Sequence, residues 1–131
     1  MTLIFVTGGA RSGKSGISER VISDSFDGPV LYVATAEALD DEMARRVAEH
    51  RRRRPAGWRT LEARREVAAA LRGSGFRSGA VLLDCLSLLV SNTLLDISCE
   101  IGEGAGLEDA VSREVEREMD GLFGWREGTG C

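Results

Sequence analysis

The sequence predicts an α/β domain built on a parallel sheet, and three observations lead to that class. Short runs at Leu3 to Val6, Val30 to Val33 and Val81 to Leu83 are continuously apolar, the pattern of strands buried on both faces. Helix-length segments alternate with these runs, as in βαβ units that place helices on both sides of a sheet. A glycine-rich turn lies directly between the first apolar run and the first helical segment.

The elements follow in order. Leu3 to Val6 reads as a buried strand, and it is followed by the glycine turn and a helix from about Lys14 to Ser23. Val30 to Val33 is the next strand, and a helix runs from about Asp40 to Arg52 until Pro55 stops it. A short extended piece near Trp58 to Leu61 precedes a helix through Ala63 to Leu71. Strand Val81 to Leu83 and a helix over Leu86 to Leu95 come next. In the segment Leu107 to Leu122, Val111, Val115, Met119 and Leu122 form the stripe of an amphipathic helix. From residue 124 to 131 the glycine-rich sequence has no strand pattern and reads as an irregular tail, where the alternation calls for another strand.

The totals fit one domain over residues 1–131: 43% of the residues are hydrophobic and 29% charged. With 17 Lys and Arg against 21 Asp and Glu, the net charge is −4, so no overall basic field speaks for nucleic acid. The charge is unevenly placed: nine Arg lie between Arg45 and Arg65, while Asp96 to Asp120 is mostly acidic. That asymmetry suggests a local anion site. Cys85, Cys99 and Cys131 show no CxxC spacing and read as free thiols. The apolar N-terminus is too short for a signal peptide and lacks a basic flank, and no run approaches the roughly 20 apolar residues of a membrane span. The reading is a cytoplasmic protein.

Gly8-Gly9-Ala10-Arg11-Ser12-Gly13-Lys14-Ser15 satisfies GxxxxGK[ST] between a strand and a helix, the context that the phosphate loop requires. Glycines allow backbone N–H groups to curl around a phosphate at a helix N-terminus, where the helix dipole also favours an anion. Lys14 would reach the β- and γ-phosphates, and the Ser15 hydroxyl could ligate Mg2+. Such a loop works with a carboxylate at the end of a neighbouring strand, and Ala80-Val81-Leu82-Leu83-Asp84 supplies Asp84. The other reading of Asp84 is the N-cap of the next helix.

The single histidine, His50, shares a helical face with Met43 and Val47 and is followed at once by Arg51, Arg52, Arg53 and Arg54. A neutral imidazole is a competent nucleophile, and guanidinium groups around it could hold a triphosphate and stabilise charge developing at phosphorus. The same residues would also suit a solvated helix end with an ordinary surface histidine.

Together these stretches resemble the bifunctional adenosylcobinamide kinase and adenosylcobinamide-phosphate guanylyltransferase family of cobalamin biosynthesis. The match rests on Val6 to Ser15, on Leu31-Tyr32-Val33-Ala34-Thr35, on the block Asp40 to Glu62, and on Leu82-Leu83-Asp84-Cys85 with Ser91-Asn92. The middle block is the specific part, with Asp-x-Glu-Met, Arg46, His50, Arg54-Pro55, Trp58, Thr60 and Glu62 in the family's spacing.

The resemblance implies a P-loop NTPase-like fold and two reactions. ATP or GTP phosphorylates adenosylcobinamide, and GMP then passes from GTP to adenosylcobinamide phosphate through a guanylylated His50, giving adenosylcobinamide-GDP. Residues Gly8 to Ser15 would bind phosphates, and Lys14 would be catalytic. Thr35, Ala36 and Glu37 would line the nucleotide. Arg51, Arg52, Arg53, Arg54, Glu62 and Asp84 would contact GTP or its Mg2+, which Ser15 and Asp84 would hold. Glu62 could instead be a charge ahead of a helix at Ala63. A homo-oligomer is also implied.

The family's pattern continues past the equivalent of Leu122 with another buried strand, a Thr-Asn-Glu segment and further helix and strand. The expectation is therefore a sheet that lacks those C-terminal strands and exposes an apolar edge. Two other functions compete: a small P-loop kinase or ATPase with another substrate, and a non-catalytic remnant that only binds nucleotide.

Overall fold

The computed structural model describes residues 3–9, 13–37, 40–55 and 57–128, with side chains at all of these except 50, 53 and 126–128. Three strands, β1 (Val30–Ala34), β2 (Arg59–Glu62) and β3 (Ala80–Asp84), form one parallel sheet in the order β2-β1-β3. The helices are α1 (Lys14–Ser25), α2 (Asp41–Arg53), α3 (Val67–Ser74), α4 (Leu86–Ile101) and α5 (Leu107–Gly128). This is the α/β architecture that the alternation predicts, on the scale of a P-loop NTPase-like core.

Strand periodicity sorts the side chains onto two faces. Leu31 and Val33 of β1 lie in register with Val81 and Leu83 of β3, and Val33 pairs with Leu61 of β2. On this face they meet Val67 and Leu71 of α3, Phe76, and Leu89 of α4, while Leu122 and Trp125 of α5 close the cluster from outside. Leu31, Val33, Val67 and Leu71 are essentially inaccessible, each contributing about 1.5–3 kcal/mol of burial. The opposite face is apolar at Val30, Tyr32 and Leu82 and turns polar toward the strand ends, at Thr60, Glu62 and Asp84. It is the face that α1 reaches through Ser15.

Backbone chemistry fixes the element ends. Asp40 caps α2, its carboxylate accepting from the Met43 N–H at 2.7 Å. Gly79 has φ of +133°, and a Cβ there would lie 2.3 Å from the Pro29 carbonyl oxygen. Only glycine fits this entry to β3, where Ala80 N–H donates to the same carbonyl at 2.9 Å.

Four expectations change. Leu3 to Val6 is not a strand: Leu3, Ile4 and Phe5 are 65%, 56% and 71% exposed, and β3 is an edge of the sheet. The apolar pattern suits a buried strand, but a parallel strand needs cover on both faces, and these residues are not among the core cluster that β1 forms with α3 and α4. The helix placed at Ala63 begins at Val67, because Ala63 N–H extends the sheet ladder to the Ala34 carbonyl at 2.9 Å and Glu66 takes a left-handed φ of 55°. Glu62 accordingly lies in β2 and is no helix-leading charge. The tail read as irregular from residue 124 is instead helical to Gly128, since Trp125 sits one turn beyond Leu122 and packs on the same core; residues 129–131 lie outside the described residues.

Candidate nucleotide site

The site gathers where the parallel strands end, the edge at which open α/β sheets bind ligands. Beyond β1, Thr35 N–H donates to the Asp84 carbonyl at 3.1 Å, so the two strand ends run on side by side. The Thr35 hydroxyl donates to the Cys85 carbonyl at 2.9 Å and accepts from the Cys85 N–H at 2.9 Å. Thr35 has no exposed surface. Its hydroxyl is spent on holding β1 to β3, and it is the following residues, Ala36 and Glu37, that reach the open cleft.

Asp84 ends β3, and α4 begins with Cys85 at its N-cap position, so the Asp84 side chain is not used as that cap. It turns to the phosphate loop. Ser15 Oγ donates to Asp84 Oδ2 at 3.1 Å, and the Tyr32 hydroxyl donates to the same oxygen. Burial, followed by the hydrogen bond to Asp84, pushes the Tyr32 phenol well above the ordinary tyrosine range.

Gly13 stands in the left-handed region at φ 81°, directly before α1. That conformation lets the loop turn into the helix so that the first N–H groups of α1 point outward. The Lys14 ammonium donates to the Gly9 carbonyl at 3.3 Å and lies over the loop. Ala10, Arg11 and Ser12 lie outside the described residues.

On the other side of the strand ends, Ala36, Glu37, Val47, Glu62 and Arg64 line a cleft of about 250 Å³. It joins three residues assigned to the nucleotide, Ala36, Glu37 and Glu62, to helix α2. Arg51 of α2 pairs with Glu62 at 2.8 Å across an exposed edge. Position 50 lies in α2, three residues past Val47, but the His50 side chain, like that of Arg53, lies outside the described residues. Arg52 is exposed. Arg54 is buried, with its guanidinium 3.7 Å from the Tyr32 ring centre and its Nη1 donating to Thr60 Oγ1 at 3.3 Å.

Three contributors escaped the sequence reading. Arg64 pairs with Glu37 at 3.1 Å and Asp96 at 2.5 Å, tying the cleft wall to α4. Asn92, quoted only as a motif residue, is buried and donates to the carbonyls of Thr35 and Arg64, both at 3.0 Å. Tyr32 carried one available signal: a single phenol in an otherwise aliphatic buried strand requires a polar partner. Arg64 carried none, because its partner lies 32 positions away.

The oxygen pair of Ser15 and Asp84 suits Mg2+, which takes few protein ligands and completes its shell with phosphate and water. Among the described residues no cluster of three His, Cys, Asp or Glu offers a denser cage. A larger hollow of about 390 Å³ between α4 and α5 mixes Arg65, Arg113 and Arg117 with Glu100 and Glu114, and no glycine-loop residue lines it. No described helix is long and apolar enough to cross a membrane.

Fold and site together define a P-loop NTPase-like α/β protein. The profile of the family "Cobinamide kinase / cobinamide phosphate guanyltransferase" matches residues 4–126, and the chain belongs to that family. It is 52% identical over 90 residues to the bifunctional adenosylcobalamin biosynthesis protein CobP of Pseudomonas aeruginosa, covering 69% of this chain and 51% of that protein. Over 121 residues it is 39% identical to CobU of Escherichia coli, covering 92% of this chain and 66% of that protein. Similarity to CobU of Salmonella typhimurium is 40% over 118 residues, 87% of this chain and 64% of the relative. The chain thus spans between 51% and 66% of the length of these relatives.

Proposed function

We propose that this chain binds nucleoside triphosphate on its glycine loop and acts as an adenosylcobinamide kinase and adenosylcobinamide-phosphate guanylyltransferase. The observation that carries the reading is the meeting of Ser15 and Asp84 at 3.1 Å beside the strand-end cleft, in a chain of this family.

In the kinase reaction the loop N–H groups and Lys14 hold the triphosphate, and a hydroxyl of adenosylcobinamide attacks the γ-phosphorus as ADP or GDP leaves. Bound between Ser15 and Asp84, Mg2+ would neutralise charge on the β- and γ-oxygens. In the second reaction an imidazole nitrogen of His50 attacks the α-phosphorus of GTP and pyrophosphate leaves. The phosphate of adenosylcobinamide phosphate then attacks the His50-bound GMP, forming adenosylcobinamide-GDP and freeing the imidazole. Arginines at the end of α2 would stabilise the charge that develops. Glu62 and Glu37 line the cleft where the nucleotide would lie, and their pairs with Arg51 and Arg64 keep those carboxylates oriented. A cytoplasmic homo-oligomer belongs to the same proposal.

Incubation with GTP labelled at the α-phosphate tests this reading. Acid-labile label on the wild-type protein, lost in His50→Ala, is the expected result. Folded wild-type protein that takes up no label removes the guanylyltransferase reading. Mg2+-dependent nucleotide turnover that needs Lys14 but not His50 would instead identify a P-loop kinase with another substrate.

A further inference from the structure

The even-numbered side chains of β1 point to the same face as Asp84, and Ala34 is the register partner of Asp84. Tyr32 lies two residues earlier on that face, about 6.6 Å back along the strand, a distance that a tyrosine side chain spans. Its hydroxyl arrives at Asp84 Oδ2, where Ser15 Oγ also donates. Two hydroxyls from two different elements therefore converge on one carboxylate oxygen, and Oδ1 is the oxygen to which neither donates. The phenol is itself held: Tyr32 is 3% exposed, and the buried Arg54 guanidinium stacks on its ring at 3.7 Å.

We propose that Tyr32 is a positioning residue for the metal-binding carboxylate, fixing Asp84 through Oδ2 beside Ser15 and leaving Oδ1 as the oxygen that neither hydroxyl occupies, with Arg54 holding the ring. The proposal rests on the nucleotide reading given above and adds to it a residue that touches neither nucleotide nor metal. It also gives Arg54 a use other than contact with GTP. A hydrogen-bonded partner of this kind fixes the orientation of a metal-binding group, and its removal typically costs about 10- to 100-fold in metal affinity or activity.

The test measures binding of a fluorescent, ribose-labelled GTP analogue with and without Mg2+ to wild type, Tyr32→Phe and Asp84→Asn. Positioning predicts that Tyr32→Phe loses roughly 10-fold or more of the Mg2+-dependent gain in affinity while keeping its Mg2+-free affinity. A Tyr32→Phe protein with the full Mg2+ gain overturns the proposal, and so does one that loses both affinities equally, which marks a merely structural role. Wild-type protein that binds no analogue under either condition removes the nucleotide reading and this inference with it.

A second measurement is independent of nucleotide and of the folding of Tyr32→Phe. Tyr32 is the only tyrosine in the chain, so the tyrosine ring doublet of the Raman spectrum at neutral pH reports the hydrogen bonding of this phenol alone. The doublet should mark a strong donor in wild type and change in Asp84→Asn. A doublet that is the same in both proteins shows that the phenol does not bond to Asp84, and the proposal falls.

Discussion

Ser15 and Asp84 stand 69 positions apart in the sequence, and the serine hydroxyl donates to the carboxylate at 3.1 Å. One residue lies in the first turn of α1 and the other closes β3, so the fold brings a phosphate loop and a strand-end carboxylate to a single point. If that point holds the metal, Asp84→Ala should lower Mg2+-dependent phosphoryl transfer by about 100-fold or more. Steady-state transfer of γ-phosphate checks this, and a variant within about threefold of wild type would remove Asp84 from the site.

Asn92 joins the segments that follow β1 and β2. Its amide donates to the carbonyls of Thr35 and Arg64 in a buried position. Asn92→Asp keeps the shape but turns a two-proton donor into an acceptor facing two acceptors. Urea denaturation should show a loss of about 1–3 kcal/mol or more, greater for Asn92→Asp than for Asn92→Ala. Equal midpoints for Asn92→Asp and wild type would contradict the bonding.

Asp96 accepts from both Arg64, at 2.5 Å, and Arg65, at 3.1 Å. The Arg64 hydrogen bond, ahead of the smaller contribution of Arg65, holds its carboxyl below the ordinary aspartate value. A depressed folded pKa means that the unfolded chain takes up the proton first as pH falls. The stability from Asp96 is thus present above the ordinary aspartate range and is lost as pH drops through the folded value. Asp96→Asn should cost on the order of 1 kcal/mol at neutral pH and flatten the acid limb of stability against pH. An unchanged acid limb would show that these pairs do not form in solution.

Glu118 shows the opposite sign. It is 5% exposed, with Oε2 unpartnered, and its carboxylate accepts from the backbone N–H groups of Glu66 and Val67 where α3 begins. Burial, reinforced by the nearby Glu66 carboxylate, raises its pKa. The folded protein then holds the proton more tightly than the unfolded chain, so stability falls as pH rises from the ordinary glutamate range through the folded value. Glu118→Gln removes that cost while keeping an acceptor oxygen. Urea midpoints measured at about pH 4 and about pH 8, on either side of the glutamate range, should show the variant gaining on wild type at the higher pH. A gap that stays constant with pH would place the carboxylate in solvent.

Much of this protein was legible before any coordinates. Alternating apolar runs and helical segments determined the α/β class, since strand and helix periods are local properties of the chain. The glycine loop and Asp84 were readable because both chemistries are written in contiguous residues, and the block around His50 pointed to the family. Local pattern failed where a neighbour decides the outcome. Leu3 to Val6 has a strand's composition but no ladder, and residues 124–128 look irregular yet continue a helix because Trp125 finds the core. Tertiary structure alone decided that Thr35 is spent on the Cys85 backbone, that Arg54 lies on Tyr32, and that Tyr32 and Ser15 share one oxygen of Asp84. Those choices depend on hydrogen bonds and a ring contact between residues distant in the sequence, and a buried polar atom takes whichever partner packing places within reach.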